Sequence, residues 1–507
     1  MSNDLQKALA KFIESCRGEF RDGKAEAGLG ASVRLMLSND QLLLRLVDRI
    51  EESKEFLDLV VATEKEYSGP LSGRNPSRWI SHVQTFLRLS GFYLDSFEEL
   101  QWSQENMVDK YEKAFRPNSD TLTHLIPLEF FSFYGDCLDW RSFQIRRFSC
   151  EEIDSLLMNP AKKVFYKEAY VNSEKLSQWW LLSVQEIKPR KDLGKIMIEG
   201  YPVPPRVSYS QHPAAVESAL KLLALYDWRP TGSRFVRAGL LHHPWRRDTL
   251  VDQDADAGPI RPEMPIYITC SDSLVEWPRA APDLAVLGTE PVIEADTGQQ
   301  IGEAPLSGAC FDAEETADFQ THLSYCAEAL AKLTPYLDQW RFVEVALGFL
   351  LKGFLSENVE QLLWNITAIE AVLGERMEIG VTKRLRNRVT RVLGSTVEQR
   401  KEIGKRFDDL YSIRSDLVHG NAALPAKSVS FGHLKQAREF ARAVVLWMLG
   451  YLNHVIDRLP EGTGAFPSRD TLLSLIDADT DSRAHIGFLA QAVPAGFPDV
   501  ADWLKRK

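Results

Sequence analysis

Positive charge is in short supply in this sequence. Its 60 Lys and Arg stand against 71 Asp and Glu, giving a formal net charge of −11. A basic footprint over the whole protein is therefore excluded, and any contact with RNA or DNA must come from a local patch. Cysteine is sparse as well. Cys16, Cys137, Cys150, Cys270, Cys310 and Cys326 are irregularly spaced, with no CxxC pair. That excludes a dense disulfide framework and reads as reduced, mostly buried residues of a cytoplasmic protein. Long apolar runs are also missing. RFVEVALGFLLKGFL is interrupted by Glu344 and Lys352, and ARAVVLWMLGYL is short. A membrane span requires ~18 to 20 apolar residues, so no membrane partner is expected. The opening MSNDLQKALAKFIESCRGEF lacks the apolar core of a signal peptide. GPLSG lacks the Gly-Lys-Ser/Thr ending of a phosphate loop, and no G-x-S-x-G, H-E-x-x-H or kinase signature occurs.

What is present is ordinary globular composition. The 44% hydrophobic content, with 12 Trp and 25 Phe, is enough to meet the entropic cost of folding. A chain of 507 residues exceeds one core, and about two to four domains are expected. Residues 1–115 read as helical: QLLLRLVDRIEESKEFLDLVVATEKE and NPSRWISHVQTFLRLSGFYL carry apolar residues at helical spacing. Asn75 before Pro76 suits a helix start. Residues 116–310 read as a mixed α/β domain. LTHLIPLEFFSFYG, FQIRRFS, QWWLLSVQEIK, MPIYITC and APDLAVLG suit strands, while SCEEIDSLLMN and AAVESALKLLALYD suit helices. The aromatic clusters LEFFSFY and QWW read as core. His242 and His243 are adjacent, so their side chains point apart, and they read as a surface loop and not a metal site. Residues 311–460 read as an all-helical bundle, and 461–507 as a tail with two short helical pieces.

The chemistry concentrates in DDLYSIRSDLVHGN, Asp408 to Asn421. Phe407, Leu410, Tyr411, Leu417 and Val418 give this helix an apolar stripe, and Gly420 suits its C-terminal closure. His419 then falls in the last turn, and a His can exchange a proton near neutral pH. Arg414 lies five residues earlier, about 140° around the helix axis. The two therefore share no narrow face and suit a groove or an interface with a second copy. The bland alternative is a capping His and a surface ion pair of Arg414 with Asp409 or Asp416.

Two further features precede this stretch. Glu370 interrupts the stripe Leu362, Leu363, Ile366, Ile369 and Val372, and a carboxylate beside core residues needs a partner, either Arg414 or a residue of the basic segment. Between residues 380 and 406 the local charge reverses. Lys383, Arg384, Arg388 and Arg391 head a basic segment in which the three arginines fall at i, i+4 and i+7. One reading is a phosphate-binding ridge, and the other is a solvated face with intramolecular partners.

Taken in order, NVEQLLWNITAIEAVLGERM with Glu370, TKRLRNRVTRVLG, and LYSIRSDLVHGN resemble the Apea-like branch of the HEPN superfamily, over residues 340–455. The resemblance implies a homodimeric, metal-independent ribonuclease without a cofactor. A ribose 2′-OH would attack the adjacent phosphate, leaving a 2′,3′-cyclic phosphate and a 5′-OH. His419 would transfer protons and Arg414 would stabilise the phosphate charge. Ser415, Asp416, Glu370, Tyr411 and Asn421 would support them. Many members carry Asn after the Arg; Ser415 stands here, as is usual in the Apea-like branch, and it can still donate to a phosphate. The implied setting is defence against phage or stress, with the N-terminal region as sensor. A bundle that binds RNA or dimerises without catalysis is the alternative.

Overall fold

The computed structural model describes residues 1–27, 40–67, 76–98, 104–116, 119–157, 159–189, 210–228, 261–293, 298–305, 309–375, 381–394, 396–419, 429–458 and 468–478. Helices α1 (Asn3–Glu26), α2 (Asp40–Glu51), α3 (Lys54–Tyr67), α4 (Pro76–Leu89), α5 (Phe92–Phe97) and α6 (Gln104–Phe115) come first. Then follow β1 (Ser119–Pro127), β2 (Phe131–Ser132), β3 (Cys137–Trp140), β4 (Phe143–Arg146), α7 (Cys150–Leu157), α8 (Asn159–Phe165), α9 (Ser173–Leu176) and β5 (Leu181–Pro189). Next are α10 (Ala214–Ala224), β6 (Ile268–Ser271), β7 (Thr289–Ile293), β8 (Gln300–Pro305) and β9 (Ala309–Cys310). The rest is helical: α11 (Ala313–Leu333), α12 (Arg341–Leu355), α13 (Asn358–Leu373), α14 (Val381–Leu393), α15 (Val397–Val418), α16 (Phe431–Arg458) and α17 (Arg469–Ala478). Among the described residues no helix is long and apolar enough to cross a membrane. Asn75, the paired His242 and His243, Gly420 and Asn421 lie outside the described residues.

Two compact units result. One comprises Met1–Glu129, Arg141–Arg206 and Glu263–Ser307; the other comprises Phe130–Trp140, Val207–Pro262 and Gly308–Lys507. Boundaries near 115, 310 and 460 follow changes of texture along the chain. The units follow packing in space, and the stretch 116–310 contributes to both.

In the first unit, α1 starts on Ser2, whose hydroxyl accepts the Leu5 N–H. The apolar run through residues 41–66 breaks at Ser53, whose hydroxyl accepts the Phe56 N–H and opens α3. Phe12, Phe20, Phe56, Phe86, Phe92 and Tyr111 fill the helical core. Within this unit the sheet runs β4-β5-β1-β6, all antiparallel, with Phe143 and His124 both opposite Val184. One face packs on α7 and α9 through Leu125, Ile153, Leu176 and Ile268. Helix α7 carries the expected cap: Ser149 Oγ accepts from the Glu152 N–H, and Glu152 accepts from the Ser149 N–H. Trp179 and Trp180 of the QWW run are buried. APDLAVLG is not a strand but a single 3₁₀ turn at Leu284–Val286. Asp283 accepts the Ala285 N–H there at 2.8 Å, so a local side-chain bond outcompetes a ladder.

In the second unit, α11 opens with a reciprocal cap between Asp312 and Glu315. It ends at Leu333, before a short 3₁₀ turn containing Pro335, which has no N–H to continue the ladder. Phe131, Phe133, Trp228, Phe311 and Phe319 pack ring on ring, so the LEFFSFY aromatics are core, with Tyr134 the exposed exception.

His322 on α11 is buried and donates its Nε2–H to the Leu225 carbonyl at 3.2 Å. Burial pushes its pKa down to about 4, and the Arg442 guanidinium adds to the shift. The unfolded value is about 6.5, so the folded state binds fewer protons. The contribution, about 3 kcal/mol, is complete above about pH 6.5 and is lost as pH falls toward 4. Urea unfolding from neutral to mildly acid pH checks this. His322→Gln is expected to flatten the acid limb; identical limbs in variant and wild type contradict it.

Candidate functional site

Helix α15 is set by its ends and one face. Thr396 and Gln399 form a reciprocal cap at its start. Ile403, Phe407 and Leu410 are buried. The apolar stripe read from the sequence stops there. Tyr411 and Leu417 are half-buried, and Val418 is 53% exposed. The last two turns of α15 are thus part-exposed, and α13 meets them at Tyr411 and Arg414.

Glu370, in the last turn of α13, meets that side. Its Oε2 accepts from Arg414 Nη2 at 3.1 Å, and its Oε1 accepts from the Tyr411 hydroxyl at 3.0 Å. The Arg414 guanidinium also lies 5.6 Å from the Tyr411 ring centre. One carboxylate therefore clamps two side chains that are three residues apart on α15. Burial raises the Tyr411 phenol above its ordinary value, and the Glu370 charge adds to this, so the phenol stays a donor. Arg414 and Glu370 are each 23% exposed, which leaves the guanidinium within reach of solvent.

Gly374 closes α13 by donating its N–H to the Glu370 carbonyl at 2.8 Å, and a Cβ at that position would clash with the same oxygen. The glycine that follows Glu370 in I-E-A-V-L-G therefore fixes the helix end from which the carboxylate projects.

His419 is the C-cap of α15. It is exposed, and its N–H donates to the Ser415 carbonyl at 2.9 Å. Ser415 and Asp416 are half-buried on the preceding turn. The structure thus joins Arg414, Tyr411 and Glu370 directly and leaves His419 at the open end of the same helix.

The basic segment forms α14, but its arginines do not stand free as a ridge. Arg384 donates to Glu375 Oε2 at 2.9 Å. Arg388 is 2% exposed. It donates to the Leu373 carbonyl at 2.8 Å, to Glu375 at 3.0 Å, and to both oxygens of Asp477 at 3.0 and 2.6 Å. Arg391 donates to the carbonyls of Ile476 and Asp477. Lys383 is exposed. The arginines hold the Glu375 carboxyl below its ordinary range, with the Arg384 bond the largest cause. Glu375, Arg469 and Asp477 are the residues the sequence did not single out. Arg469, at the start of α17, donates to the carbonyls of Glu370, Ala371 and Gly374 at 3.4, 2.9 and 2.6 Å. It thereby serves the unsatisfied end of α13. Among the described residues no three His, Cys, Asp or Glu side chains converge as a metal site.

Comparison with protein-family models, with curated proteins and with solved structures returns no match.

Proposed function

We propose that the second unit is an endoribonuclease of HEPN type, acting through Arg414 and His419. The observation that carries the reading is the clamp of Glu370 on Arg414, with an exposed His419 five residues further on at the end of the same helix. An isolated surface ion pair would not need a second donor; here Tyr411 fixes the carboxylate while Glu370 fixes the guanidinium. A planar guanidinium held this way suits a phosphate that gains charge in the transition state.

In the proposed reaction the 2′-oxygen bonds to phosphorus as its proton passes to a neutral imidazole. The bond from phosphorus to the 5′-oxygen breaks, and that oxygen takes a proton from an imidazolium. The products are a 2′,3′-cyclic phosphate and a 5′-OH. Two imidazoles, one from each of two copies, would supply base and acid, which suits the separation of Arg414 and His419 around the helix. The part-exposed Leu417 and Val418 on the same turns suit that pairing. Defence or stress as the setting, with control from the N-terminal region, follows from the family resemblance alone.

A substrate with 2′-deoxyribose at the cleaved position tests the chemistry. It is expected to resist cleavage, and cleavage of it would contradict the 2′-OH mechanism. Glu370→Gln keeps an acceptor for Tyr411 but removes the charge that orients Arg414. Cleavage is expected to fall about ten- to a hundredfold through misplacement of the guanidinium. Stability is expected to change by less than about 1 kcal/mol, because the pair is partly exposed. Kinetics and thermal unfolding of the same preparation check both; unchanged kinetics would remove Glu370 from the site.

A further inference from the structure

Helix α17 is more than a bundle cap, because its two ends grip the elements that build the site. At its start Arg469 holds the last carbonyls of α13, including that of Glu370, whose side chain clamps Arg414. At its end Asp477 faces Arg388 in the two-against-two geometry that an arginine offers a phosphate. The neighbouring carbonyls of Ile476 and Asp477 occupy Arg391. Between the two ends, Leu472, Leu473 and Ile476 are buried, and Ser468 caps the first turn by accepting the Thr471 N–H. The Asp477 side chain is 36% exposed, so the pair with Arg388 is open to competition at its rim.

We propose that α17 is an internal strap whose Asp477 stands in for a backbone phosphate of single-stranded RNA, and that RNA engages Arg388 and Arg391 by displacing it. This rests on the ribonuclease reading for the identity of the polyanion. It assigns to α14 a phosphate subsite that the folded chain keeps covered. Because Arg469 also ties α17 to the end of α13, displacement of the strap would reach the helix end that carries Glu370.

The test uses the full chain and a short single-stranded 2′-O-methyl oligoribonucleotide, which binds without being cleaved. Asp477→Asn keeps the shape of the strap and removes its charge; Leu473→Asp detaches its apolar face. Both are expected to bind the probe about tenfold tighter than wild type. The salt dependence is expected to steepen by about 0.7 for Asp477→Asn, which frees Arg388 alone, and by about 1.4 for Leu473→Asp, which frees Arg388 and Arg391, at about 0.7 per contact on a single strand. Adding Arg388→Ala and Arg391→Ala should abolish the gain. In wild type, probe binding should speed hydrogen exchange at the amides of residues 468–478. If either variant fails to fold, that exchange measurement alone decides. Bound probe with α17 amides still protected overturns the strap, as does a lack of binding by every form. Tighter binding without cleavage by any form would uphold the strap and reject the nuclease; cleavage with no gain in binding would do the reverse.

Discussion

His419→Ala is expected to lower RNA cleavage by about 10²–10⁴-fold, the usual worth of a positioned proton-transfer group. The fold should scarcely notice. The imidazole is exposed, and the bond that ends α15 comes from the backbone N–H of residue 419, which alanine keeps. A surface substitution of this kind stays within about 0.5 kcal/mol. Arg414→Ala should cost a comparable factor in rate through loss of charge stabilisation. Arg414→Lys should not restore it, because a lysine cannot reproduce the fork that meets both Glu370 and a phosphate. Single-turnover cleavage with thermal unfolding on each variant checks the pair of statements. Full activity in both alanine variants would rule out Arg414 and His419 as the proposed site.

The largest effect on stability is expected in the first unit, at Arg88. In the helical core of the first unit, Arg88 of α4 donates to both oxygens of Glu51 on α2, at 2.9 and 2.5 Å, and Gln84 adds a third bond at 3.0 Å. Glu51 is buried, and burial raises its pKa even with Arg88 pulling the other way. Arg88→Met leaves that carboxylate buried without its counter-charge, at a cost of about 3–5 kcal/mol near neutral pH. The pH dependence has a definite sign. A carboxyl with a raised folded pKa is favourable while protonated and loses that contribution as pH rises through the folded value. The penalty of Arg88→Met should therefore shrink as the solution is acidified and Glu51 takes up a proton. Replacing both partners, Arg88→Met with Glu51→Leu, should recover much of the loss. Urea unfolding at neutral and mildly acid pH measures all of this; a penalty that is the same at both pH values would show that the buried charge is not its source.

The contrast between the two positions reflects what a sequence can and cannot carry. Helices α13, α14 and α15 were legible because their apolar positions recur at helical spacing, whereas the cap of Thr396 and Gln399 on α15 appeared only in the structure. That Glu370 needs a cation was also legible, since a carboxylate inside an apolar stripe demands one; the choice of Arg414 over a residue of the basic segment was not, because several Lys and Arg stood as candidates. Nor was the fate of the α14 arginines. Arg388 meets Asp477 across 89 positions, and nothing periodic in the tail marks an aspartate for that role. The buried pair of Arg88 and Glu51 was hidden for the same reason, each residue lying in an amphipathic helix that reads normally by itself. At Leu417 and Val418 the pattern misled in the other direction. The apolar positions continue, but Leu417 is only half-buried and Val418 is exposed, so the stripe does not end as core. APDLAVLG failed as a strand because Asp283 offers its backbone a nearer partner.

Total RNA incubated in EDTA with the wild type and with His419→Ala, followed by analysis of the product ends, addresses the proposed ribonuclease activity most directly. The expected result is EDTA-resistant cleavage by the wild type, leaving 2′,3′-cyclic phosphate and 5′-OH ends, and its loss in the variant. Cleavage that EDTA abolishes, that leaves 5′-phosphate ends, or that persists in His419→Ala would contradict the assignment.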